Sequence, residues 1–323
     1  FSEQENRYLT QFEAPTLENV FGENGEFMAD FEKYVNDQFP LRDSWIHLKA
    51  WSERLLGKQE NNDVYFGGEG QQTLFAQYTP PSDMEQRVEY INQLGANVDV
   101  PVYFALIPDK SFVWADRLPD NAPLVDDALS GDNVFYRTDH HWSTMGAYQG
   151  YVALMNAMNG AYTQLDSEPT LVSDSFYGTT WSSAGAAWVS PDEMYTWVPE
   201  GGLTGNTTVT RYPNGSPVAG SLYDLSRLEV KDKYSMFLGG NQGLCVIQNP
   251  DAQGGKLLVV RDSYADSLAP FLSLDYQEVH LFDLRYNLMS LKQYVVDNDI
   301  DQVLVLYSNS NFSTDSNLAL LGY

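Results

Sequence analysis

Lys256-Leu257-Leu258-Val259-Val260-Arg261-Asp262-Ser263-Tyr264 passes from an unbroken apolar run to a charged, hydroxyl-bearing break. The run reads as a buried strand. Tyr264 to Leu272 then reads as a helix, Glu278 to Phe282 as a strand, Leu288 to Val296 as a helix and Gln302 to Tyr307 as a strong strand. Strands alternating with helices imply right-handed crossovers and a parallel sheet, with the loops that follow the strands gathered along one edge. Ser263 lies in the first such loop, Arg285 in the second and Asn309 in the third, so three polar groups converge where sheets of this kind bind ligands. The expected fold is α/β: a parallel sheet flanked by helices, with a β-rich insertion.

Working back from this stretch, Val100 to Ile107 is another nearly continuous apolar run, expected to be a central strand covered on both faces. Pro108-Asp109-Lys110 ends it at the ligand edge, which makes Lys110 a candidate for contact with a substrate oxygen, against the alternative of simple pairing with a carboxylate. Ahead of it, Phe27, Phe31, Tyr34 and Val35, then Trp45, Leu48, Trp51 and Leu55, recur at helical spacing on either side of a break at Phe39-Pro40-Leu41-Arg42-Asp43. Asp63 to Phe66 reads as a short strand. Ser82 with Glu85 reads as a capping box that opens a helix to about Leu94. From Tyr162 to Pro250 the pattern turns to short β-prone pieces between Gly, Pro, Asn and Ser. The chain therefore divides into 1–161 (helices and the first part of the α/β unit), 162–250 (β-rich insertion or subdomain) and 251–323 (its βαβαβ remainder).

The formal charge of −26, from 18 basic and 44 acidic residues, repels nucleic acid, anionic lipid and acidic polysaccharide and favours a neutral or cationic partner. The single cysteine, Cys245, excludes an internal disulfide and a multi-cysteine metal site, and its neighbours Leu244 and Val246 suit a buried small hydrophobe. No apolar run approaches the roughly 18 residues that cross a bilayer. The first residue is Phe1 rather than methionine, as a cleaved signal or anchor would leave it; the expectation is an extracytoplasmic protein whose N-terminal signal or anchor is missing here. Trp181, Trp188, Trp197 and Tyr195 suit either a sugar-stacking platform or the core of a small β-rich unit. A glycine-rich phosphate loop, a dinucleotide fingerprint and a Gly-x-Ser-x-Gly elbow are all lacking.

Asp139-His140-His141-Trp142 supplies what Ser263 lacks. A serine hydroxyl is a poor nucleophile at neutral pH unless an imidazole takes its proton and a carboxylate holds that imidazole in the right tautomer. Asp139 and His141 are two apart, so in an extended loop they project the same way, with His140 on the opposite side. Ser143 can cap the helix that follows, which puts the motif in a loop at a helix N-terminus. Ser263 stands at the first turn of its own helix, where unpaired backbone N–H groups form half of an oxyanion hole; the same position also suits a plain N-cap. Gly240, Asn241 and Asn309 are candidates for the other half. The rival chemistry is zinc held by Asp139, His140 or His141 with His280 and Asp283, but no pair has the spacing of a zinc motif, and no cofactor is expected.

The segment Asp139 to Ser143 with Gly146 resembles the signature of the bacterial DHHW proteins, which are similar to the alginate O-acetyltransferases of the SGNH hydrolase-like superfamily. The resemblance extends to Phe39-Pro40-Leu41-Arg42, Asp63-Val64-Tyr65, Pro108-Asp109-Lys110, Phe176-Tyr177-Gly178-Thr179, Phe237 to Asn241 and Arg261 to Tyr264. It implies a flavodoxin-like SGNH fold, with Asp139 as orienter, His141 as base and Ser263 as nucleophile. Trp142 and His140 come with the motif as substrate-side candidates. Typical SGNH enzymes carry Gly-Asp-Ser where this chain has Arg261-Asp262-Ser263, which leaves the oxyanion positions open. The implied function is transfer of an acetyl group to, or its removal from, an extracellular or cell-envelope glycan, the partners being a hydroxylated acceptor and an acyl donor. The chain's negative charge speaks against alginate itself, and a glycan-binding or envelope-assembly protein without turnover is the alternative.

Overall fold

The computed structural model describes the chain except residues 3, 6, 22–25, 78–82, 121, 123–132 and 323. Its first part is helical, with α1 (Leu17–Phe21), α2 (Phe27–Asp37) and α3 (Arg42–Leu55). A small antiparallel sheet follows, made of β1 (Glu60–Asn61), β2 (Val64–Gly67) and β3 (Thr73–Ala76). Then come α4 (Met84–Asn97), β4 (Val102–Ile107), the single turn α5 (Lys110–Val113) and α6 (Thr144–Asn159). Ser82, half of the expected capping box, lies outside the described residues, and Asp83 at the N-cap of α4 makes no side-chain cap bond.

The middle region contributes the two-stranded pair β5 (Thr170–Phe176) and β6 (Asp192–Thr196) with the short helix α7 (Thr179–Ala184) between them. It also supplies β7 (Thr208–Arg211), β8 (Val218–Gly220) and β9 (Leu244–Gln248). The C-terminal part runs β10 (Gly254–Arg261), α8 (Tyr264–Leu272), β11 (Tyr276–Phe282), α9 (Leu291–Asp297), β12 (Gln302–Ser308) and α10 (Asn309–Thr314).

A mixed seven-stranded sheet in the order β4-β12-β10-β11-β9-β7-β8 organises the molecule. Its β4-β12-β10-β11 half is parallel, as βαβ connections require, and β9, β7 and β8 continue it antiparallel. Strand β10 is the axis: Leu257 and Val259 enter the core under α6 and α8, while Leu258 and Val260 enter the core under α4 and α9. Burial on both faces explains its unbroken apolar run. Every residue of α8 is buried, so this helix lies inside the fold.

Strand β4 departs from expectation. It is the edge strand rather than a central one, and Phe104 and Leu106 on one face remain 40% and 39% exposed. An apolar run records contact with a helix on one side and half-shielded surface on the other equally well. Trp181, Trp188 and Trp197 form no common platform. Trp188 packs on Phe66 and Trp51, Trp197 on Phe271 and Tyr148, and Trp181 on Tyr177.

Candidate active site

The carboxyl end of β10 and the loop entering α6 meet, although their residues lie 122 positions apart in the chain. Ser263 occupies the N-cap position of α8 but makes no side-chain cap bond. Its Oγ lies 2.7 Å from His141 Nε2. His141 Nδ1 in turn lies 2.6 Å from Asp139 Oδ1, so the three side chains form one hydrogen-bonded series. All three are buried. The Ser263 backbone N–H makes no hydrogen bond among the described residues, leaving a donor beside the hydroxyl at the positive end of α8.

Each member is held by its surroundings. Asp139 Oδ1 also accepts the His141 backbone N–H at 3.0 Å, and Oδ2 accepts the Thr179 N–H at 2.7 Å and its hydroxyl at 3.0 Å. Burial opposes the charge of this carboxyl, but the two histidines and the hydrogen bonds outweigh it and hold the group well below the usual carboxylate range. Thr179 comes so close because Gly178 precedes it, where a Cβ would run into Asp139. The His141 ring stacks on Tyr234 at 3.7 Å and 6°. Tyr234, its phenol kept protonated by burial, donates to Ser263 O at 3.1 Å and lies 3.0 Å from Ser267 Oγ. Trp142 Nε1 donates to Ser267 Oγ at 2.8 Å and Tyr264 O at 3.0 Å, fastening the histidine loop to the serine helix.

Two further anchors fix the loops. Lys110 donates to the carbonyls of Tyr136, Arg137 and Asp139 at 2.8, 3.2 and 2.7 Å, and burial lowers its ammonium to about 8. It therefore faces the backbone of the Asp139 loop. Asp262 Oδ2 accepts the Ser308 N–H and hydroxyl and the Asn311 amide at 2.7 to 2.8 Å, while Oδ1 accepts the Tyr264 N–H at 3.0 Å. It joins the loop after β10 to the end of β12 and the first turn of α10.

The other sequence candidates are distributed around this centre. His140 Nδ1 lies 2.7 Å from Thr179 Oγ1, and its ring sits 3.8 Å from that of His141 with 37% of the side chain exposed. Desolvation and then the neighbouring His141 lower its basicity. Asn309 Nδ2 donates to Asp109 Oδ2 at 3.3 Å, and Arg285 grips Asp283 through Nε at 2.9 Å and Nη2 at 2.7 Å. Asn241 Oδ1 accepts Arg261 Nη1 at 2.7 Å; the arginine that replaces glycine ahead of Asp-Ser thus organises this loop, in which Gly240 has φ of +94°. The Asp139, His140 and His141 ligand atoms lie within 4.8 Å of one another. His280, however, is engaged by Glu278 and Tyr294 and Asp283 by Arg285, so the rival zinc site, which needed both beside the Asp139–His141 motif, is not assembled.

A cavity of about 450 Å³ borders the Asp139 and Thr179 side of the site and is walled by Tyr177, Lys231, Arg42 and Lys49. Its lining does not include Ser263 or His141. A larger groove, about 1000 Å³, lies over β7, β9 and β11 beside α9. Thr179, Tyr234 and Asp262 escaped the sequence reading. Thr179 and Asp262 sit in segments singled out for resemblance, but Tyr234 carried no signal at all.

Residues 127–282 match the sequence model of the DHHW protein family. Among solved structures, a DHHW family protein from Eubacterium siraeum superposes with a TM-score of 0.64 at 20% identity, covering 81% of this chain and 95% of that one. PatB1 of Bacillus cereus, solved with a sulfonyl adduct, gives 0.62 at 22% identity, covering 78% and 96%. The O-acetyltransferase domain of Pseudomonas putida AlgJ gives 0.43 at 16% identity over 80% and 98%, too loose a superposition to add weight. No curated protein sequence matches the chain. At such identities the likenesses establish a shared α/β fold.

Proposed function

We propose that this chain, a DHHW protein across residues 127–282, is an extracytoplasmic acyltransferase or esterase that moves acetyl groups on a neutral glycan through Ser263. The observation that carries the reading is the unbroken series Asp139–His141–Ser263 at 2.6 and 2.7 Å. In the first step the Ser263 proton passes to His141 Nε2 while Oγ bonds to the ester carbon. The developing oxyanion meets the unpaired Ser263 N–H. Collapse breaks the ester C–O bond, and the proton on Nε2 goes to the departing oxygen. In the second step an acceptor hydroxyl, from sugar or water, gives its proton to Nε2 as it bonds to the acyl carbon; the acyl–Oγ bond breaks and Nε2 passes that proton to Ser263. Asp139 holds the ring in the tautomer that both steps need.

A charge of −26 supports a neutral acceptor, and the 450 Å³ cavity with its Tyr177 wall, which reaches Asp139 but not Ser263, has the size to hold a sugar next to the site. Among the described residues no helix is long and apolar enough to cross a membrane. Hydrolysis of a chromogenic acetyl ester by the purified chain beside Ser263→Ala tests the proposal. The variant should lose at least roughly 10³-fold in turnover. PatB1 has been solved with a sulfonyl adduct, and sulfonyl fluorides react with activated hydroxyls, so a sulfonyl fluoride should mark Ser263 in a peptide mass map. Equal hydrolysis by both forms, with no label on Ser263, would rule the nucleophile out. Faster release of acid-free product when a neutral oligosaccharide is added would distinguish transfer from hydrolysis.

A further inference from the structure

We propose that the chain pairs with a second copy of itself through the outward faces of α2 and α3, laying α3 of each copy on α2 of the other. Leu41, Trp45, Leu48 and Leu55 recur, through Ser52, at alternating spacings of four and three. Met28, Phe31 and Val35 of α2 do the same. These side chains are between 39% and 82% exposed. The α3 residues that a coiled coil would turn to water are instead the ones turned to the body: Ala50 is buried, His47 lies 3.1 Å from Gln4 and Arg54 stacks 4.6 Å from the Trp188 ring. Phe31 packs edge-on against Phe12, and the rest of the apolar seam is left exposed among the described residues.

A repeat of four and three is the geometry of helix against helix, because it makes a narrow seam whose side chains fit between those of another helix. A helix lying on a bilayer presents a broad apolar face instead. Here Ser44, Lys49 and Ser52 border or interrupt the seam, and an overall charge of −26 repels an anionic leaflet. Charge also selects the partner helix. Lys49 borders the α3 seam, so α3 on α3 brings like charges together, whereas α2 carries Glu32 beside its own seam; Arg42, the other cation along α3, is already paired with Glu5. Among the described residues the Lys49 ammonium donates to the neutral Asn62 Oδ1, at 3.0 Å, and pairs with no carboxylate. A two-fold arrangement sets Lys49 against Glu32 twice.

Sedimentation velocity of the full chain across concentration and salt tests this. A dimer is expected that tightens from low to physiological salt, as screening relieves repulsion between two acidic bodies. Leu48→Glu should give a monomer with an unchanged far-UV circular dichroism spectrum. Charge exchange gives a second arm that leaves the apolar seam intact. Lys49→Glu and Glu32→Lys should each weaken association roughly two- to thirty-fold, since symmetry counts the pair twice, and together they should restore it. A chain that stays monomeric under all these conditions, or exchanges that fail to restore one another, would overturn the proposal. So would a monomer that floats with phosphatidylcholine vesicles, in that case in favour of a membrane surface.

Discussion

Asp139 concentrates at one residue the division of labour in this site: one oxygen holds the His141 ring and backbone, the other holds Thr179. Replacing the carboxylate with an amide keeps the shape but presents a donor or a neutral acceptor to Nδ1, which favours the wrong tautomer of the ring. Asp139→Asn should therefore lower turnover on an acetyl ester by roughly 10⁴ while the thermal midpoint moves little. A variant that keeps more than a tenth of the activity would show that the carboxylate does not govern the base. Asp139, His141 and Ser263 could be singled out in the sequence because they supply an acid, a base and a hydroxyl, and a spacing of two points Asp139 and His141 the same way. The family resemblance groups them with Ser263, and the structure brings the three side chains into one series. The role of Lys110 was not legible. Its partners are three backbone carbonyls 26 to 29 residues further on, and backbone oxygens leave no mark in a sequence.

Among the elements, the strand-loop-helix joint from β10 to α8 does most to assemble the site. Asp262 gathers four hydrogen bonds there, from the start of α8, the end of β12 and the first turn of α10, fully buried, directly before the serine. Asp262→Ala would leave the Ser308 N–H and hydroxyl and the Asn311 amide without their acceptor in the interior, a loss of about 3 kcal/mol. Urea denaturation should read that loss, and ester turnover should fall with it because the Ser263 loop is freed. An unchanged denaturation midpoint would contradict the proposed tie. The alternation of strand and helix over residues 256–307 made β10, β11 and β12 readable, since strands buried on both faces need apolar residues throughout. Strand β4 shows the limit of that logic: its apolar run sits at the sheet edge. The antiparallel half was less readable, because β7, β8 and β9 are short and their pairing depends on contacts distant in sequence.

At the scale of the molecule, a strongly acidic chain must place its few cations where they hold most. Arg7 shows one such use: its guanidinium donates to Asp37 Oδ2 at 2.8 Å and Oδ1 at 2.5 Å, and the Thr10 N–H adds a bond of 2.8 Å to the same carboxylate. These contacts fasten the N-terminal segment to the end of α2, close to the cavity wall that Arg7 and Arg42 share. The Arg7 hydrogen bond, against the opposing cost of burial and with help from Thr10, holds the Asp37 carboxyl far below its ordinary 3.8. A carboxyl depressed in the folded state stabilises the fold above its unfolded value and loses that contribution as pH falls through the folded one. Wild type should therefore exceed Asp37→Asn by about 2 kcal/mol at neutral pH, a figure already reduced for the partial exposure of Arg7. The gap should hold down to about pH 4, near the unfolded carboxyl value, and close below it. Paired denaturation curves across that range measure it, and a gap that widened in acid would show that the clamp owes nothing to the Asp37 charge.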